Sequence, residues 1–348
     1  MKHAFANLPE FNGHELVSYF CDKETDLRGF IAIHTTKLGP ATGGTRYLVY
    51  PNEQEALRDA LRLSRAMTYK CALAGIPLGG GKAVIIANGK KTKGRAFLKS
   101  FAQKVNLFGG MFTTGEDVGM NEKDIEILSK YSRYINGKSN SSGSPSPWAA
   151  QSVLYAMKAA SKQIYGTNKL KDRTVAIKGV GHVGTELCKL LLREGAKIYI
   201  SDIKQKRVKQ LLKQYPPITA VLPNKIHTLP VDIFSPCALS QDLSVKTVRQ
   251  LKCKIVCGAA NNQLATLAAG DALHKRHILY IPDYVANAGG LINVVDNVYN
   301  KMYDKRRVEQ KVKDVEKTVR NIINISKKKK LPTYRITDAL AEKIINSK

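Results

Sequence analysis

Apolar positions along the chain change their period several times, and each change marks an element. Residues 28–34 (RGFIAIH) and 83–87 (AVIIA) are short apolar runs that read as buried strands. Between them the period lengthens to that of a helix. Leu57, Ala60, Leu61, Ser64, Met67 and Cys71 share one face, Asn52 with Glu55 three residues on supplies a capping-box start, and Lys70 falls near the C-terminal end. A stretch rich in Gly, Ser and Pro, NGKSNSSGSPSP (136–147), then breaks the pattern before a helical segment, WAAQSVLYAMKAASKQI (148–164). We place a domain boundary at this break, with a first domain over 1–145 and a second over 146–332.

From residue 173 the order is strand, glycine turn, helix, strand: RTVAIKG, GVGHVG, TELCKLLLREG, AKIYISD. Three more apolar runs follow at 231–235, 253–258 and 277–282, spaced widely enough for crossover connections, so a parallel doubly wound sheet is expected. Asp304 can cap a helix whose Val308, Val312, Val315, Val319 and Ile322 repeat at four-three spacing. A last helix over 337–346, within 333–348, could return to the first domain. The fold class is therefore α/β, with two domains and no internal repeat.

Composition narrows the partners. In 348 residues, 24% are charged and 43% hydrophobic, an ordinary globular balance. No run approaches the roughly 18 apolar residues of a membrane span, and the opening MKHAFANLPEFNGHE has no secretory apolar core, so a cytoplasmic protein with no membrane partner is expected. Lys and Arg number 56 against 28 Asp and Glu, a net charge of +28. The cations are scattered, Lys327–Lys330 being the one dense run, so nucleic-acid or polyanion binding stands as a rival reading and not the favoured one. Six cysteines in an unexported chain are expected as reduced thiols; Cys253 and Cys257 lack the C-x2-C spacing of a zinc knuckle, and no metal is expected.

The segment Gly179-Val180-Gly181-His182-Val183-Gly184 is a G-x-G-x-x-G that follows a strand and opens a helix. Gly179 permits the tight turn, Gly181 lets backbone approach a pyrophosphate, and Gly184 lets helix and sheet pack closely. The helix N-terminus supplies amide donors. Asp202, 18 residues past the last glycine, ends the next strand, where a carboxylate accepts hydrogen bonds from an adenosine ribose and repels a 2′-phosphate. The second domain is thus expected to be Rossmann-type and to take NAD in preference to NADP. Lys204, Lys206 and Arg207 soften that preference.

Lys82 follows Gly79-Gly80-Gly81, yet a P-loop would need glycine where Ile76 stands and Ser or Thr where Ala83 stands. The glycines are better used to bring backbone close to a small ligand, and Lys70 and Lys82 can converge on one carboxylate-bearing substrate. A lysine held near another cation in a partly dry cleft loses its proton more readily and becomes usable as a general base. Asp117, in T-T-G-E-D-V-G, could then shuttle a proton.

GPATGGTR (39–46), MTYK (67–70), LGGGK (78–82), GEDVG (115–119), PSP (145–147), GVGHVG (179–184), AANNQL (259–264) and PDYVANAGGLINV (282–294) occur in this order and span nearly the whole chain. Together they resemble the glutamate/leucine/phenylalanine/valine dehydrogenase family, nearest its leucine branch. The resemblance implies oxidative deamination of an L-amino acid with NAD in a cleft between substrate and dinucleotide domains, and a homo-oligomer assembled through the first domain. By position it implies that Lys70, helped by Gly43 and Gly44, holds the substrate carboxylate. Lys82 would activate water, Asp117 exchange protons with the amine, and Asn262 orient cofactor and substrate. Cys237 and Ala238 would join the glycine turn at the cofactor. Where glutamate-specific members hold a distal carboxylate, this chain has Thr42 and Val294. Gly115, Leu291 and Val294, with Thr42, would instead line a pocket for a branched aliphatic side chain; a valine or aromatic preference is the alternative. Ala149, Gln151, Ser152 and His182 depart from the family's usual residues near the cofactor, which leaves a catalytically impaired basic relative as a rival reading.

Overall fold

Alternation along residues 27–35 sends Ile31 and Ile33 to one face of a sheet and Phe30 and Ala32 to the other, and a helical layer packs on each face. In the computed structural model, residues 8–89, 93–137, 142–238, 241–300 and 302–347 are described. The chain forms two compact units. One comprises 1–143 with 294–303 and 341–348, the other 144–293 with 304–340.

The first unit runs β1 (Leu16–Asp22), β2 (Leu27–Thr35), β3 (Ala41–Leu48), α1 (Glu53–Leu73), β4 (Gly79–Ile86), α2 (Arg95–Asn106), β5 (Phe112–Glu116) and α3 (Glu122–Ser129). Its five strands lie in the order β1-β2-β4-β3-β5; β2 is antiparallel to β1 and β4, whereas β4, β3 and β5 are parallel. Asn52 caps α1 by accepting from the Glu55 N–H. α1 covers the face of Phe30, Ala32, Val84 and Ile86, while α2 and α3 cover that of Ile31, Ile33, Ala83 and Ile85. Close packing of α1 depends on Gly80: a β-carbon there would stand 2.1 Å from the Thr68 nitrogen. The end of the chain also belongs to this unit, where the Tyr69 hydroxyl donates to Glu342 at 2.8 Å.

The second unit opens with α4 (Ser146–Tyr165), β6 (Thr174–Lys178), α5 (His182–Arg193), β7 (Lys197–Ser201), α6 (Gln205–Gln214) and β8 (Thr219–Ala220). It continues with β9 (Ile233–Pro236), α7 (Val245–Gln250), β10 (Ile255–Val256), α8 (Leu267–Lys275), β11 (Leu279–Tyr280) and α9 (Asp283–Ala286). The chain then passes through α10 (Gly289–Tyr299), α11 (Lys305–Lys329) and α12 (Thr333–Asn346). All six strands are parallel, in the order β11-β10-β9-β6-β7-β8. Counted from β6, that is 3-2-1-4-5-6 reversed end for end, the dinucleotide-binding order, with the winding direction changing between β6 and β9. Ligands bind such sheets in the crevice beyond the strand ends at that change.

Candidate active site

Three neighbouring strands of the first unit build the polar centre. β4 carries Lys82, β3 carries Gly44 and Arg46, and the turn after β5 carries Asp117. Because β4 alternates, Lys82 shares the face of Val84 and Ile86 and points under α1. Its side chain is 6% exposed, and Nζ lies 2.6 Å from Asp117 Oδ2. Arg46 Nε donates to the same oxygen at 3.1 Å. On its other edge Arg46 Nη1 donates to Asp59 of α1 at 2.8 Å, and the Tyr50 hydroxyl donates to that Asp59 oxygen at 2.7 Å. Gly44 closes over the pair: a β-carbon there would stand 2.8 Å from Asp117 Cβ and 3.3 Å from Lys82 Nζ. Gly43 lies against the Gly81 carbonyl. Lys70 is half-buried in the last turn of α1, two residues past Thr68, whose backbone rests on Gly80.

Electrostatics separate the two central groups. Burial pushes Lys82 below the ordinary lysine value; Asp117 pulls it back up and Arg46 pushes it further down, with a net fall. Burial alone would raise Asp117, but Lys82 and Arg46 together hold its carboxyl well below the usual carboxylate range. The arrangement joins an acid that is ionised in the free enzyme to a lysine that releases its proton more easily than a solvated one.

Beside this centre, β5 places Gly115 opposite Gly44, and the Asn136 carbonyl comes within 2.9 Å of a β-carbon built on Gly115. Thr42 is 2% exposed; its hydroxyl accepts from Thr113 Oγ1 at 3.1 Å and from Asn136 Nδ2 at 3.4 Å. Thr42 therefore has the hydrogen-bond partners its hydroxyl requires, and the wall near Gly115 is more polar than an aliphatic pocket would need. Sequence reasoning did not single out Thr113, Asn136, Arg46, Asp59 or Tyr50. The two-residue period of Thr42, Gly44 and Arg46 was the available signal, for it puts all three on one face of β3.

In the second unit the glycine turn lies at the β6–β9 change of direction. Gly179 has φ +101°, and a β-carbon there would stand 2.6 Å from the Ala238 nitrogen, just beyond β9. Gly184 similarly abuts the Gly179 carbonyl, with Cys237 Cβ at 3.5 Å. A β-carbon built on Gly181 would meet only Arg207 Nη1, at 3.9 Å, and α5 starts after this glycine without a side-chain cap. A cleft of about 540 Å³ opens here, lined by Ser146, Pro147, Val180, Gly181, His182 and Arg207 among others. Bare backbone at a helix N-terminus, next to an arginine, fits a pyrophosphate. Half-buried Val183 completes the first turn. Asp202 is 8% exposed; it accepts from the Val180 N–H at 2.9 Å and the Lys204 N–H at 2.8 Å, with Arg207 3.7 Å away. It fixes the turn as well as facing it.

Asn262 stands apart from the turn, beyond β10. Its φ is +51°, its N–H donates to Asp283 at 3.0 Å, and its side-chain amide makes no hydrogen bond among the described residues. Leu291 and Val294 are half-buried, one turn apart on α10. The departures on α4 have structural uses. Ser152 accepts from the Gly289 N–H at 3.0 Å and donates to the Ala149 carbonyl at 2.9 Å, and a β-carbon built on Gly290 would stand 3.4 Å from Ala149 Cβ. Gln151 is half-buried on the same helix.

A doubly wound sheet with a glycine turn at its change of direction, preceded by a unit with a buried lysine–aspartate pair, defines a nicotinamide-dependent oxidoreductase of the two-domain α/β class. Residues 17–134 match the family model described as "Glu/Leu/Phe/Val dehydrogenase, dimerisation domain", and residues 198–345 match that of "Glutamate/Leucine/Phenylalanine/Valine dehydrogenase". A leucine dehydrogenase of Geobacillus stearothermophilus is 42% identical over 96% of this chain and 91% of that one. An L-tryptophan dehydrogenase of Nostoc punctiforme is 42% identical over 97% and 95%. The crystal structure of L-tryptophan dehydrogenase from that organism superposes with a TM-score of 0.80 over 96% of each chain, at 40% identity. The chain belongs to the Glu/Leu/Phe/Val dehydrogenase family and is an amino acid dehydrogenase.

Proposed function

We propose that the enzyme oxidatively deaminates a branched-chain L-amino acid (leucine, valine or isoleucine) with NAD and water, giving the 2-oxo acid, ammonium and NADH, reversibly. The observation that carries this reading is the 2.6 Å pair of buried Lys82 with Asp117, closed over by Gly44. Lys70 takes the substrate carboxylate, with Gly43 and Gly44 allowing close approach. Asp117 takes a proton from the substrate ammonium, so that the amine lone pair can assist loss of hydride from Cα. The nicotinamide, when bound, supplies the acceptor for that hydride. Lys82, neutral, then removes a proton from water as its oxygen bonds to the iminium carbon and the C=N electrons return to nitrogen. Asp117 returns its proton to the amine; the C–N bond then breaks as the hydroxyl oxygen forms the carbonyl and gives up its proton, which the departing ammonia takes to leave as ammonium, and Lys82 releases its own proton to solvent. Val180, Gly181, His182 and Val183 at the start of α5, with Gly179, Gly184, Cys237, Ala238 and Asn262, hold the dinucleotide. Asp202 favours NAD because a 2′-phosphate would meet a carboxylate.

Several relatives at about 42% identity are named leucine dehydrogenases, which supports an aliphatic substrate side chain. A homo-oligomer built through the first unit belongs to the same reading, supported by the dimerisation-domain match. A second reading, an aromatic substrate, is favoured by the Thr42, Thr113 and Asn136 wall, which can hydrogen-bond an indole N–H, and by the tryptophan dehydrogenase relative. A panel of leucine, valine, isoleucine, phenylalanine, tryptophan and glutamate at alkaline pH decides between them. An aliphatic kcat/KM at least about 10-fold above the others upholds the first reading, one or two methylenes being worth that much in an apolar pocket. Equal or faster turnover of an aromatic acid overturns it. In Lys82→Ala, kcat is expected to fall by about 10²–10⁴ while NADH still binds; unchanged turnover removes Lys82 from its role.

A further inference from the structure

We propose that Arg46, anchored on α1 by Asp59 and Tyr50, is a positioning residue that presents Asp117 to Lys82 and biases the lysine towards giving up its proton. The proposal rests on the dehydrogenase reading of Lys82 and Asp117 and assigns work to three residues outside it.

Arg46 and Lys82 meet the same oxygen, Oδ2 of Asp117, at 3.1 Å and 2.6 Å. Two cations therefore compete for one acceptor in a site where both side chains are under a tenth exposed. An arginine does not lose its proton in a protein and a lysine does, so the lysine yields. Only the planar fork of arginine reaches two acids from one side chain, here Asp117 through Nε and Asp59 through Nη1. Asp59 is fixed in turn by the Tyr50 hydroxyl, so α1 clamps the guanidinium in place. The four charges sum to zero, which lets them stay buried together.

The groups facing Lys82 come from every element around it. Arg46 lies on β3, Asp117 follows β5, and Asp59 is on α1. β2 places apolar Ala32 opposite Lys82, and its His34 is engaged with Thr68. Arg46 acts to lower the proton affinity of Lys82, and Asp117 and Asp59 act to raise it. Removing Arg46 and removing Asp59 should therefore move the enzyme in opposite directions.

The test is the pH dependence of kcat/KM for the oxidised amino acid in full-length wild type, Arg46→Gln, Arg46→Lys and Asp59→Asn, with NADH binding as the check of folding. The acid limb of this profile reports the free enzyme's base. Arg46→Gln should move it up by about one pH unit or more, and Asp59→Asn should move it down. Arg46→Lys keeps the charge without the fork, so its limb should stay near the wild-type position while kcat falls. Losses of activity with every limb in place would mean that the network only supports the fold, and would overturn the proposal. If Arg46→Gln does not fold, an unmoved limb in Asp59→Asn overturns it equally. Absence of amino acid oxidation in the wild type would bring down the dehydrogenase reading itself, whereas wild-type turnover with unmoved limbs sinks this proposal alone.

Discussion

A methyl group at position 44 would press on Asp117 Cβ at 2.8 Å, the Glu116 carbonyl at 2.9 Å and Lys82 Nζ at 3.3 Å. None of these can retreat far, because Asp117 sits in a turn whose carbonyl accepts from the Met120 N–H and Lys82 is enclosed under α1. Gly44→Ala should therefore shift the reacting groups by a fraction of an ångström and lower kcat by about 10²-fold, while the urea midpoint changes little; steady-state kinetics with a denaturation curve checks both. Away from this centre, His14 and His34 form a buried pair with ring centroids 4.9 Å apart, bonded to Ser64 and Thr68 of α1. Burial pushes each ring down to about 4 from 6.5, with neighbouring cations or rings adding to the fall. The folded chain must keep both neutral, while the unfolded chain protonates them below 6.5. Stability is thus full above pH 6.5 and drops as pH falls towards 4, by about 1.4 kcal/mol per pH unit for each ring. Urea midpoints at pH 8, 6 and 5 should show this slope, and His14→Gln should remove about half of it. Lys82, Asp117 and the glycines were legible in the sequence because local motifs carry them. Arg46 and Asp59 were not, because their partnership spans 13 residues between a strand and a helix and exists only once α1 is docked.

The elements named from the sequence carry clear local signals, whereas β1, β3, β5, α2 and α3 were not singled out, although Asn121 and Asp124 form a capping box on α3. α1 shows its cap and stripe, with Leu57, Ala60, Leu61, Ser64 and Cys71 buried as the spacing requires, and β6-α5-β7 shows its glycine turn. β3 escaped notice because Gly43 and Gly44 interrupt its alternation, although Ala41 and Thr45 pair with β4 and β5 on either side. The apolar runs at 253–258 and 277–282 contain only two ladder residues each, since burial extends further than strand pairing there. α11 is the clearest case of agreement, with Val308, Val312, Val315, Val319 and Ile322 all buried and Asp304 accepting from the Arg306 and Arg307 N–H groups. Asp304→Ala should cost about 1 kcal/mol through loss of that cap. The other end of α11 stops on Lys330 at φ 55°, ψ 35°, a left-handed residue that carries a side chain where glycine would be unstrained. Lys330→Gly is expected to raise stability by up to about 1 kcal/mol, and thermal unfolding of the two variants should move in opposite directions.

At the scale of the whole molecule, the net charge of +28 matters because the acids are largely committed. Asp117 and Asp59 serve Arg46, while Glu194, Asp232, Asp242 and Asp271 each face a cation of the second unit. Many of the 56 Lys and Arg residues therefore have no acid to meet, and their mutual repulsion opposes the compact state. Exposed charges are screened over a Debye length of about 30 Å at 0.01 M salt and about 10 Å at 0.1 M, whereas the buried quartet around Asp117 is screened far less. Raising sodium chloride from 10 mM to 150 mM should consequently raise the melting temperature by a few degrees, by the order of 1 kcal/mol of relieved repulsion, while kcat stays nearly constant. The same distribution bears on polyanions. A solvated cationic exterior without a dedicated groove binds heparin in a way that salt abolishes, so elution below about 0.3 M salt with undiminished dehydrogenase activity is the expected outcome. Retention well above that concentration, or loss of turnover on the column, would show instead that the cations form an organised surface.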